Sequence, residues 1–345
     1  MNIVNDISRY RQPIMGYAIC LILFIHVFFL GLMTENPDGV WLNKLRQMGS
    51  SGVDLFLIIS AFGLYYSMQK NPSARLFYRK RIVRLLPMLL IGFVITCATD
   101  FIGPIFAEKT VLQIVVKFAF FFRHYFYSLW FLYLLFFLYL LFPIVWHYLE
   151  GIPTELGRLR RSRLFMTVVI VVCAMMAVSL ADLCQIDMYG TIALSLYRIP
   201  IFFTGIFLIY HLPITTFIYH SHWVFWVSLA IAYITSIALP SLQYIAFGFM
   251  ALSGIKYLVW VFSHVKWICA VFTFLGRFTL EIYVMHMFVY SHITHYLQPH
   301  NLITLVVAVA LSILFAIMLH YIIQYSGKLI PLYYKKFRAR EREKQ

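Results

Sequence analysis

The stretch MGYAICLILFIHVFFL, residues 15–30, sets one ionisable ring, His26, inside an almost wholly apolar run. Imidazole titrates near neutral pH, so a neutral histidine can act as a general base, and its ring nitrogen can also accept an acyl group. Ile22, Leu23, Phe29 and Leu30 occupy the neighbouring helical positions and offer no polar side chain. The ring therefore either hydrogen-bonds another helix to hold a bundle together or does chemistry. A second cluster lies in GRFTLEIYVMHMF, where Thr279, Tyr283, His286 and Tyr290 recur at helical spacing and share a face. His286 carries the same two readings. Arg277 and Glu281, four residues apart, are spaced to pair with each other.

Asp54 opens the segment GSSGVDLFLIISAFG, where capping of a helix N-terminus is its simplest role. Arg198 begins the apolar stretch YRIPIFFTG, and Arg123 with His124 precedes LWFLYLLFFLYLLFP; snorkelling to an interface explains each arginine alone. Taken together, His26, Asp54, His124, Arg198 and His286 fall toward one half of a membrane, which suits a polar cavity better than scattered anchors. In RLFYRKRIVRLLP, Arg79, Arg81 and Arg84 crowd a short loop. Arg81 and Arg84, three apart, put two guanidinium forks on one helical face, suited to a polyanion or to lipid headgroups. The pairs His220/His222 and His292/His295 lack a third acidic or cysteine ligand nearby, and the cysteines show no C-x-x-C spacing. Neither a metal centre nor a disulfide framework is expected.

These residues need elements to position them, and the composition says which kind. Of 345 residues, 62% are hydrophobic and 12% charged, outside the range of soluble domains. Apolar runs long enough to cross a bilayer recur near residues 14–33, 52–69, 85–103, 128–149, 164–182, 195–210, 223–239, 241–262, 268–296 and 302–325. The expected fold is an all-α, polytopic transmembrane bundle of about ten spans. Residues 110–122 are too short for a span and suit an interfacial or re-entrant helix. The first apolar run is too long for a signal-peptide core and has no small-residue cleavage site. Lys and Arg collect at 70–84, 158–163 and in the tail 328–345, which puts these clusters and both termini on the cytoplasmic side. The net charge of +15 is thus an orientation signal with attraction to anionic lipid, and no nucleic-acid partner is expected. The chain reads as one membrane domain without an appended soluble domain. No internal repeat is visible, which counts against a transporter fold.

Several segments together carry a resemblance. They are the histidine after MGYAI, then GVDLFLIISAFGLYYS, FYRKRIVRLLP, LWFLYLLFFLYLLFP, RIPIFFTG and FLGRFTLEIYVMH. In this order, from about Arg11 to Tyr325, the chain resembles the membrane-bound acyltransferase family 3. The resemblance implies a multi-pass enzyme of a bacterial-type plasma membrane. It would move an acyl group, most often acetyl, from cytoplasmic acyl-coenzyme A to a hydroxyl of a cell-envelope saccharide or glycolipid. No permanently bound cofactor is implied; acyl-coenzyme A is a co-substrate. His26 matches the family's essential histidine and Arg81 and Arg84 its R-x-x-R, thought to engage coenzyme A, with Arg79 beside them. Asp54, Arg198 and His286 also match characteristic positions, with Asp54 and His286 candidates for the chemistry. Arg198, His124 and Tyr283 are candidates for holding substrate. One departure stands out: the family's arginine eleven positions before the histidine is Met15 here, while Arg9 and Arg11 lie further upstream. The competing reading from another class is a transporter or flippase for an envelope lipid or small solute, with the same buried polar groups lining its pathway.

Overall fold

The computed structural model of the chain describes residues 3–27, 47–98, 110–117, 119, 129–181, 187–238, 243–296 and 302–343. Its helices are α1 (Ile3–Arg9), α2 (Arg11–Val27), α3 (Ser51–Lys70), α4 (Ala74–Thr96), α5 (Trp130–Glu150), α6 (Glu155–Ala181) and α7 (Asp187–Tyr210). They continue as α8 (Leu212–His220), α9 (His222–Ala238), α10 (Gln243–His264), α11 (Lys266–Arg277), α12 (Thr279–Tyr296) and α13 (Leu302–Glu343). A short helix also covers 111–117, within the piece expected to be too short for a span. Among the described residues there is no strand.

Among them, five helices are long and apolar enough to cross a membrane, and up to seven crossings result if each bent pair counts as one. This is fewer than the expected ten. The run 268–296, expected to be one span, is two helices meeting at 74°, and α8 meets α9 at 83°. The backbone leaves helical geometry at Phe278, with φ −109° and ψ 14°. This break also separates Arg277 from Glu281, since four-residue pairing needs a continuous helix. Glu281 instead accepts a hydrogen bond from His320 Nδ1 on α13 at 2.7 Å.

α3 is the axis of the bundle. Its sequence is apolar nearly all round, so no single face can be left outward, and it is buried from Ser51 to Phe62 without interruption. α2, α7, α10 and α5 pack around it. Lipid offers no hydrophobic drive between helices, so close backbone approach at small residues must supply the attraction. Gly52 on α3 abuts the Ala18 carbonyl of α2, and Gly205 on α7 faces the Ala61 methyl of α3. α11 lies on α2 through Gly16 and Gly276: a Cβ at Gly16 would run into the Phe272 carbonyl, and one at Gly276 into the Gln12 carbonyl.

Gly16→Ala is therefore expected to destabilise the protein by about 1–3 kcal/mol through overpacking. Gly254→Ala, where a Cβ meets only the edge of the Phe225 ring at 3.2 Å, is expected to cost less. Thermal unfolding in detergent measures both, and equal midpoints would show that the α2–α11 seam can relax.

Candidate functional site

α2 and α12 bring together the two histidines singled out in the sequence. The His26 and His286 rings lie 4.9 Å apart at 66°. Each Nδ1 faces a carbonyl of its own helix: His26 that of Ile22 at 2.8 Å, and His286 that of Tyr283 at 2.7 Å. A carbonyl can only accept, so each Nδ1 carries the hydrogen and Nε2 is the basic nitrogen of each neutral ring. The partner that helical side chains could not offer to His26 is thus a backbone oxygen one turn back. His286 is fully buried, and its Nε2 has no hydrogen-bond partner. Tyr283 and Tyr290 flank His286 at 5.4 and 5.8 Å, so the face expected from their spacing does form.

A cleft at the basic end of the bundle reaches Tyr283, the neighbour of His286. Arg11, Arg81, Arg84 and Tyr139 line its mouth, and Phe56, Phe131 and Tyr283 its inner end. Tyr283 touches both sides of that junction, with its ring 5.2 Å from Phe131 and 5.4 Å from His286. From Tyr139 to Phe131 is eight residues of α5, roughly 12 Å of helix. The Arg81 guanidinium lies over Phe77 and Tyr139 at 5.1 and 5.8 Å, and its buried Nε has no hydrogen-bond partner. Arg11, Arg81 and Arg84 stand within electrostatic reach of one another, a mutual repulsion that a bound anion would relieve. Arg79 is exposed and does not line the cleft.

Arg11 is the residue whose place only the structure gives. It lies one turn before Met15 on the same face of α2, and both line the cleft. Its guanidinium rests against the backbone of α3 at Gly63, where a Cβ would come within 3.1 Å of Nη2. The sequence signal for it was faint: a cation four residues upstream of a position where a cation was expected.

Asp54 and Arg198 form a pair of their own, at the opposite end of α3. Arg198 Nη1 donates to Asp54 Oδ1 at 2.8 Å and to the Ser50 carbonyl at 3.1 Å, with side-chain exposures of 1% and 0%. Asp54 is therefore an ion-pair partner, and Ser50 makes no side-chain cap bond either. Arg198 sits inside α7 rather than at its start, because α7 begins eleven residues earlier, and it does not snorkel. Its guanidinium lies over Tyr244 and Trp130 at 5.1 and 5.7 Å, and its charge reaches Tyr283. His124 lies outside the described residues.

Leaving one buried charge without its partner costs about 3–5 kcal/mol. Asp54→Leu and Arg198→Met are each expected to destabilise by that amount, and the double variant by much less than the sum. Thermal unfolding of the solubilised variants measures the coupling; strict additivity would mean that the pair does not hold α3 to α7.

Comparison with known proteins adds one finding: a family model described as an acyltransferase domain matches residues 16–321. No curated protein and no solved structure matches the chain.

Proposed function

The chain belongs to the membrane-bound acyltransferase family 3 and is an integral membrane acyltransferase, and from that premise we propose that it carries an acyl group, acetyl above all, from acyl-coenzyme A to a hydroxyl of a cell-envelope saccharide or glycolipid. The observation that supports this reading is the cleft that holds three guanidiniums and reaches Tyr283, whose ring lies 5.4 Å from that of His286. Coenzyme A carries several phosphate oxyanions, which suit the guanidinium forks of Arg11, Arg81 and Arg84. Its long, largely uncharged arm suits a narrow passage walled by Phe56, Phe131 and Leu135. The thioester then lies at the inner end, beside Tyr283 and the histidines.

In this reading His26 Nε2 takes the proton of the acceptor hydroxyl as its oxygen attacks the thioester carbonyl carbon. The carbon–sulfur bond breaks, and the departing coenzyme A sulfur takes the proton back from His26. His286, with Nε2 buried and unpartnered, stands beside His26 where a second neutral ring can share that proton. Asp54 and Arg198 fix the far side. The basic end faces the cytoplasm with both termini, and the chain acts as one domain in a bacterial-type plasma membrane.

Coenzyme A thiol release by the purified protein, with acetyl-coenzyme A as donor, tests the reading. A positioned base contributes about 10²–10⁴-fold, so His26→Ala is expected to lose that much rate while remaining folded. Undiminished release from folded His26→Ala would remove His26 from the chemistry, and no release from wild type would remove the donor assignment.

Arg11→Ala is expected to raise the KM for acetyl-coenzyme A about 10–100-fold, the worth of a charge-assisted hydrogen bond, with kcat little changed. Adding Met15→Arg to that variant should restore KM, since both positions line the same cleft. A KM indifferent to Arg11 would confine donor binding to Arg81 and Arg84.

A further inference from the structure

The end of the bundle opposite the basic mouth holds a concentration of buried polar atoms without hydrogen-bond partners. They are Gln47 Oε1, Ser50 Oγ, Asp54 Oδ2, Arg198 Nε and Gln243 Oε1. Contacts and chain neighbours bring these residues to one end of the bundle. Arg198 bonds both Asp54 and the Ser50 carbonyl and lies over Tyr244, the residue after Gln243. Ser50 N–H donates to the Gln47 carbonyl, and Met48 shares an apolar cluster with Phe247 of α10, against which Tyr244 packs. The cluster therefore gathers the N-terminal ends of α3 and α10 around the middle of α7.

Within an apolar bundle an unpaired polar atom is costly, and a functional role is the first explanation to seek. The ion pair does not need Gln47 or Gln243, and apolar side chains would fill the same space without orphaned oxygens. The kinds of atom define what would satisfy them. The two amide oxygens and Asp54 Oδ2 only accept, Ser50 Oγ can accept or donate, and Arg198 Nε donates. Asp54 and Arg198 already neutralise each other, so the cluster has no net charge to offer an anion or a cation. A donor-rich, uncharged group fits, and a polyol ring with several O–H groups is such a ligand. Trp130 and Tyr244 border the cluster, aromatic surfaces on which the C–H faces of such a ring can pack.

Its position relative to the histidines agrees. Trp130 meets Phe131 edge-on at 6.2 Å, Phe131 meets Tyr283 edge-on at 5.2 Å, and Tyr283 lies tilted against His286 at 5.4 Å. The cluster and the guanidinium mouth thus approach Tyr283 and the histidine pair from opposite ends. Building on the acyl-transfer reading above, we infer that Gln47, Ser50, Gln243 and the Asp54–Arg198 pair form the acceptor subsite, and that it selects an uncharged saccharide ring over a uronate or a phosphorylated sugar.

The test uses the full chain in nanodiscs with saturating acetyl-coenzyme A. The acceptor probes are neutral methyl glycosides and N-acetylhexosamines, with the matching uronates and sugar phosphates as charged comparisons. Neutral glycosides are expected to raise thiol release above the acceptor-free rate. Gln243→Ala and Gln47→Ala are each expected to raise the glycoside KM about tenfold, with the KM for acetyl-coenzyme A unmoved. Gln243→Leu, which keeps the packing volume, should show the same rise; a wild-type KM there would mean that volume, not the oxygen, matters and would overturn the subsite. Acceleration by uronates or sugar phosphates instead of neutral glycosides would overturn it too, as would thiol release that no probe accelerates. Absence of any thiol release from wild type fails the acyl-transfer reading first.

Discussion

An apolar helical bundle can hold a charge only in company, and the Asp54–Arg198 pair meets that constraint where α3 begins. Both side chains are buried, and together they tie α3 to α7 at a single point. Each charge alone would be too costly to bury, so removing either partner penalises more than the pair itself contributes. Such a pair specifies a position along the helix axis, which close-packed apolar faces do poorly. With α7 held on α3 at Asp54, Gly205 meets Ala61 two turns further along, and the glycine contact becomes possible.

Along α3 the chemistry then changes sign. Gly63, near the basic end, gives room for the Arg11 guanidinium, while Ser50 and Asp54 meet Arg198 at the other end. Between them α3 contributes Phe56 and Ser60 to the cleft wall. One helix thus separates an anion-attracting mouth from an uncharged, acceptor-rich cluster, with the histidine pair between. The acyl transfer proposed above, from a charged donor to an uncharged acceptor, would use that separation.

The break at Phe278 has a comparable role. A straight helix over 268–296 could not lie against α2 at one end and present His286 beside His26 further on. The bend of 74° lets α11 seat on Gly16 while α12 turns inward, carrying Thr279, Tyr283, His286 and Tyr290 into the core. The lost Arg277–Glu281 spacing is a by-product, and Glu281 finds His320 instead.

Composition, apolar run length and the spacing of polar residues determined the class of the chain: an all-helical membrane protein in which His26, Asp54, Arg198 and His286 stand out because apolar surroundings make such residues costly. Helical period alone put Tyr283, His286 and Tyr290 on one face, and the face is real. What the sequence could not determine is which helix meets which. The meeting of His26 with His286, the pairing of Asp54 with Arg198, and the arrival of Arg11 at the cleft beside Arg81 and Arg84 all join residues from separate helices. One-dimensional spacing carries no information about such distances. The bend at Phe278 was equally hidden, since 268–296 is apolar enough to read as one span and contains no proline. Backbone contact at Gly16 and Gly276 accompanies that turn, and such contacts exist only once the helices are packed.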